Sequence, residues 1–135
     1  MSKVRILLAD DHAAMLEQVS RVLEHDYDVV AAVKDGQAVV RECLRLKPDV
    51  VVLDISMGDV SGIELARELR DCGCNSKIIF LSVHEDYDFV NAAIGTGALA
   101  YVVKSHLSTD LLTAVKAVLA GKFFVSGSLL YVRGQ

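Results

Sequence analysis

Five residues spread along the chain carry complementary chemistry: the adjacent pair Asp10-Asp11, then Asp54, Ser82 and Lys104. Each follows a short run of aliphatic residues. Three carboxylates gathered at one point would raise one another's pKa values and oppose folding. A hard divalent cation removes that conflict. Mg²⁺ takes oxygen ligands, keeps several waters, and commonly uses one or two carboxylates together with phosphate oxygens. Lys104 adds a second positive charge and Ser82 a hydroxyl donor. A site with these parts suits an incoming phosphoryl group, whose equatorial oxygens need neutralising. An aspartate can attack phosphorus to give an acyl phosphate. Asp10 and Asp11 are adjacent, open the first loop, and suit metal binding. Asp54 stands alone after the central run, and attack is assigned to it. The plainer reading is that strand-end aspartates cap helices, and Asp10 or Asp11 could cap the helix that follows. Five residues with matching roles at four strand ends are harder to explain as caps.

The elements that must position these residues are legible as alternating runs. Val4–Ala9, Val29–Val33, Val50–Leu53, Lys77–Leu81 and Ala98–Val103 are short and almost continuously apolar. Parallel strands buried on both faces have that pattern. Between them lie amphipathic stretches. Residues 13–25 place Leu16, Val19, Val22 and Leu23 on one face. A second helix follows Asp35-Gly36 and stops at Lys47-Pro48, since the residue before proline avoids the helical region. A third starts after Ser61, an N-cap with Glu64 three residues on, and ends near Gly73. A fourth covers Asp86–Gly95, and a fifth runs from Ser108 to Gly121. The order is (βα)₅, an α/β fold with helices on both faces of an open parallel sheet. The flavodoxin-like, doubly wound arrangement with strand order 2-1-3-4-5 is the expectation, with ligands at the carboxyl ends of strands 1 and 3. All five chemical residues then share one crevice. Residues 1–121 are read as the folded unit and 122–135 as a tail or the start of a linker.

The whole chain has 135 residues, 53% of them apolar, a single proline and a net charge of −4. That fits one domain and excludes a disordered chain. Basic residues are scattered rather than clustered, so direct nucleic-acid binding is not expected. No apolar run is long enough to span a bilayer, and the first residues do not read as a signal peptide. Three cysteines, Cys43, Cys72 and Cys74, are an odd count without framework spacing, which points to a reducing compartment. The Cys72-x-Cys74 pair lacks a second ligand pair and reads as two thiols near a helix end. His12, His25, His84 and His106 fall in separate segments and do not suggest a metal cluster.

The Asp10-Asp11 pair, Asp54 with Met57 and Gly62 after it, Ser82, and Gly97-Ala98 with Tyr101-Val102-Val103-Lys104 together resemble the receiver domains of bacterial two-component response regulators, over about residues 4–121. The resemblance implies phosphotransfer from a sensor histidine kinase to Asp54, catalysed by the domain itself, as is its later dephosphorylation. It implies Mg²⁺ held directly by Asp11, Asp54 and the Ser56 carbonyl, with Asp10 acting mainly through water, and it implies Ser82 and Tyr101 as a switch pair. Ser56 and His84, two residues past Asp54 and Ser82, are candidates for tuning hydrolysis. Asp10-Asp11-His12, Lys104-Ser105 and Ala117–Gly121 before Phe123-Phe124 are similar to the NarL/FixJ (LuxR-type) branch. There a DNA-binding module follows, and transcription control is the expected output. A stand-alone receiver, acting by protein contact or as a phosphorelay intermediate, is the alternative. Homodimerisation on phosphorylation, through helices 1 and 5 or through helix 4, strand 5 and helix 5, is a family expectation, as is a cytoplasmic location.

The sequence departs from the family at Gly58, where proline is usual after the methionine; a more mobile loop is expected there. Ser105 replaces a common proline, so the Lys104–Ser105 peptide is expected to be trans, the cis form costing roughly 2.5–4 kcal/mol. Tyr101 is expected outward or mixed before phosphorylation and inward after it. Three rival readings fail on residues. A haloacid-dehalogenase phosphohydrolase needs an acid where Ser56 stands. A nucleotide or flavin module needs a glycine-rich first loop, and Asp10-Asp11-His12 is not one. A pseudo-receiver would not need the full set of acids.

Overall fold

The computed structural model describes residues 3–126. In chain order its elements are β1 (Arg5–Ala9), α1 (Ala13–Leu23), β2 (Asp28–Val33), α2 (Gly36–Leu46), β3 (Val50–Asp54), β4 (Ser56–Met57), β5 (Val60–Ser61), α3 (Gly62–Asp71), β6 (Lys77–Ser82), α4 (Tyr87–Ile94), β7 (Ala100–Val103), α5 (Leu107–Leu119) and β8 (Phe124–Val125). A 3₁₀ turn, Lys104–His106, leads into α5.

The main sheet has the order β2-β1-β3-β6-β7-β8, with every pairing parallel. Its first five strands are the expected 2-1-3-4-5 arrangement. Side chains alternate between two cores, as the period of two demands. Leu7, Val51, Leu53, Ile78 and Phe80 face α2, α3 and α4 and meet Val39, Leu65, Leu69 and Val90. Ile6, Leu8, Val50, Val52, Ile79 and Leu81 face α1 and α5 and meet Leu16, Val19, Leu111 and Val115. Burying an aliphatic side chain of this kind contributes about 1.5–3 kcal/mol, so two filled faces hold the strand ends in place.

Helix boundaries follow local chemistry. The Asp35 side chain caps α2 by accepting from Ala38 N. Ser61 caps α3 but accepts from Ile63 N. Lys47, before Pro48, leaves the right-handed helical region at φ 49° and ends α2.

The sheet does not stop where the sequence reading stopped it. Phe124 N donates to Leu99 O and Ser126 N to Tyr101 O, both at 3.0 Å, and Val103 N donates to Ser126 Oγ at 2.9 Å. Residues 122–126 thereby extend the sheet beyond the unit read as 1–121. A two-residue strand has no periodicity to betray it. Residues 127–135 of the expected tail lie outside the described residues.

Candidate functional site

Strand register brings the five chemical residues together. Ala9 pairs with Leu53, so Asp10 and Asp54, each one residue further on, emerge side by side. Asp54 pairs with Leu81 and Ser82 with Val103, which sets Ser82 and Lys104 at the same end of the sheet.

The Lys104 ammonium lies 3.0 Å from Asp10 Oδ2 and 3.3 Å from Asp54 Oδ1. Asp10 and Asp54 are both buried, and Lys104 is largely so. Burial pushes the Asp54 carboxyl up to about 6; the Ser56 N–H and Lys104 pull it down, and the Asp10 charge adds to the rise. Asp10 Oδ1 accepts from His12 N at 2.9 Å. It braces the loop and does not cap α1, whose N-cap position is His12 and has no side-chain cap bond. The capping reading of Asp10 and Asp11 therefore fails.

Asp10 Oδ2 and Asp11 Oδ1 are buried oxygens that accept no hydrogen bond; their polar neighbours are the Lys104 ammonium and the His12 ring, each at 3.0 Å. One ligand atom each from Asp10, Asp11, His12 and Asp54 falls within 4.8 Å of the others, so the group could hold a cation. Hard, under-satisfied carboxylate oxygens fit Mg²⁺. His12 was not expected here. Its Nδ1 lies 3.0 Å from Asp11 Oδ1, at an exposed rim. Its place next to the acid pair was the available signal.

Two glycines shape the wall. Gly58, at φ +61°, is the first central residue of the two-residue turn joining β4 to β5. Glycine at that position suits a tight hairpin turn, and proline, fixed near −65°, could not take it. Glycine's backbone freedom is what lets Gly58 take this turn. At Gly62, a Cβ would sit 2.3 Å from the Asp54 carbonyl oxygen and 2.8 Å from Ile55 Cα. Only glycine lets α3 start this close to the backbone that carries Asp54. Ser56 N donates to Asp54 Oδ1 at 3.2 Å and orients the carboxylate.

On the other wall, Ser82 is fully buried, and its Oγ accepts from His84 N at 2.9 Å. The Tyr101 hydroxyl donates to His84 O at 2.8 Å. The His84 ring stacks on Phe89 of α4, with centroids 4.1 Å apart. His84 thus links Ser82, Tyr101 and α4, a junction the sequence did not reveal. Tyr101 has 0% exposure. The expectation of an outward or mixed ring is not met, because the ring fills the core over β7 and its hydroxyl has a carbonyl to bond. Burial raises the Tyr101 pKa, with the Ser82 hydroxyl opposing. The Lys104–Ser105 peptide is trans, as expected.

A family description, response regulator receiver domain, matches residues 6–116. The chain is 35% identical over 126 residues to the transcriptional regulatory protein DegU of Brevibacillus brevis, covering 92% of this chain and 53% of that protein. It is 31% identical to a nitrate/nitrite response regulator protein homolog of Haemophilus influenzae, covering 94% of this chain and 62% of that one. It thus spans roughly half to two-thirds of these curated relatives. A solved two-component response regulator of the LuxR family from Aurantimonas sp. SI85-9A1 superposes with a TM-score of 0.91 at 32% identity, covering 96% of this chain and 94% of that one. The isolated REC domain of RcsB from Salmonella enterica serovar Typhimurium, with the phosphomimetic BeF₃⁻, gives 0.88 at 27% identity, covering 96% and 98%.

Proposed function

The chain belongs to the response regulator receiver domain family, and from that premise we propose that Asp54 accepts a phosphoryl group from a sensor histidine kinase. The observation that carries the assignment is the buried Lys104 ammonium, shared by Asp10 and Asp54 at the strand ends. A carboxyl with a pKa of about 6 is mostly ionised at pH 7 and can act as a nucleophile. An Asp54 oxygen attacks phosphorus, the phosphorus–nitrogen bond of the donor breaks, and an acyl phosphate remains. Lys104 turns from the carboxylates to a phosphoryl oxygen. Asp11, Asp54 and the Ser56 carbonyl would hold Mg²⁺, with Asp10 acting through water; the bound ion supplies charge neutralisation for the equatorial oxygens.

Ser82 Oγ takes the His84 N–H as acceptor, and its own proton can turn to the phosphoryl oxygen, a charged and therefore stronger acceptor. That turn bears on His84, which holds the Tyr101 hydroxyl and stacks on α4. The signal reaches the α4–β7–α5 face by this route. Ser56 and His84 border the site and set how fast water removes the group. Homodimerisation on phosphorylation, a cytoplasmic location and an output through transcription belong to the same proposal. Among the described residues no helix is long and apolar enough to cross a membrane. Incubation with acetyl phosphate and Mg²⁺ should add one phosphoryl group to the wild type and none to Asp54→Ala; equal labelling of both would overturn the assignment.

A further inference from the structure

The three cysteines gather at the end of the sheet away from the acidic site. Cys43 lies near the end of α2 and is buried in the core between α2 and α3. Cys74 follows α3, half-buried against the same core. The chain turns it inward: Cys74 N donates to Leu69 O, closing α3. Cys74 is the thiol neighbour of Cys43, whereas Cys72 is exposed. All three line one open cavity of about 540 Å³, together with Pro48, Ser76 and Lys77. Among the described residues the acidic cluster is the group of His, Cys, Asp and Glu side chains spaced to hold a metal, so the thiols do not form such a centre.

We propose that Cys43 and Cys74 are an oxidisable thiol pair, which a peroxide entering the cavity closes to a disulfide. Burial divides the roles. Cys43 is buried, so peroxide does not reach it first; desolvation pushes its thiol up to about 12, and it reacts only when an electrophilic Cys74 sulfur stands beside it and the departing oxygen takes its proton. Cys74, at the cavity wall, meets the peroxide first, with Ser76 Oγ 3.3 Å from its sulfur. The Cys74 sulfur attacks one peroxide oxygen, the oxygen–oxygen bond breaks, and the other oxygen leaves as water, giving a sulfenic acid. The Cys43 sulfur then attacks the Cys74 sulfur, the sulfur–oxygen bond breaks, and a second water leaves with the Cys43 proton. Two thiols lose two electrons and the peroxide becomes two waters. The product ties α2 to the segment between α3 and β6.

The reduced protein should be treated with hydrogen peroxide, and its thiols counted after denaturation. The wild type should lose two of its three thiols and fall in mass by about 2 Da, with a Cys43–Cys74 cross-linked peptide on mapping. Cys72→Ser should behave the same way. Cys74→Ser should keep a free Cys43 thiol. These variants spare the buried Cys43, so folding does not confound them. A Cys72–Cys74 link, a Cys72-linked dimer as the main product, or stable oxygen adducts on Cys74 beside an intact Cys43 thiol would each overturn the pair.

Discussion

Replacing Asp54 with asparagine should stabilise the protein when divalent cations are chelated. The carboxyl is raised from 3.8 to about 6, chiefly by desolvation. The shift of about two units is worth about 3 kcal/mol at 1.36 kcal/mol per unit. That shift is already net of the downward pull of Lys104 and the Ser56 N–H, and solvent screening discounts it, so a gain of about 1–2 kcal/mol is expected. In a domain of this size that is a rise of roughly 3–8 °C in Tm. The pH dependence has a definite sign. The folded state holds the Asp54 proton more tightly than the unfolded chain, so wild-type stability falls as pH rises from about 4 to about 6. The wild type carries the full penalty above the folded pKa and none of it below the unfolded one. The advantage of Asp54→Asn should therefore be complete at pH 7.5, shrink through pH 6, and vanish near pH 4. Urea and thermal melts in EDTA across that range measure it. Mg²⁺ should then stabilise the wild type more than the variant. A variant no more stable than wild type at pH 7.5, or a gain flat with pH, would refute the reasoning.

Lys104→Ala leaves two buried carboxylates without their cation, and should cost about 3–5 kcal/mol in EDTA, largely recovered by Mg²⁺, as denaturant melts would show. It should still accept some label but lose the conformational response, read by amide exchange on α4 and β7. Gly62→Ala drives a Cβ into the Asp54 carbonyl and should cost about 3 kcal/mol while slowing labelling; a neutral substitution would mean that α3 can back away freely. Tyr101→Phe removes the bond to His84 O, worth about 1 kcal/mol, and should leave labelling of Asp54 intact while weakening the response of α4.

The sheet was legible because parallel strands covered on both faces must be apolar, and β3 meets that demand from Val50 to Leu53, at 0–1% exposure, before Asp54 ends it. Strand order then placed Asp10, Asp54, Ser82 and Lys104 in one crevice without any side-chain geometry. Short elements escaped notice. The β4–β5 pair and β8 have two residues each, too few for any period. Gly58 signals freedom in a sequence, but only φ +61° in a hairpin shows what the freedom is for. The Tyr101 orientation depends on a carbonyl seventeen residues away, and the Cys43–Cys74 proximity on how α2 packs against α3. Neither leaves a trace in local spacing.

The central claim is that the Asp54 carboxylate itself becomes an acyl phosphate. Borohydride reduces an acyl phosphate of aspartate to homoserine, which marks the residue covalently. The protein should be phosphorylated with acetyl phosphate and Mg²⁺, reduced with borohydride, and mapped by peptide mass spectrometry. Homoserine at position 54, absent without Mg²⁺ and absent at positions 10 and 11, is the expected result. Homoserine at either of those positions instead, or a borohydride-stable phosphate on serine or histidine with position 54 unmodified, would contradict the account.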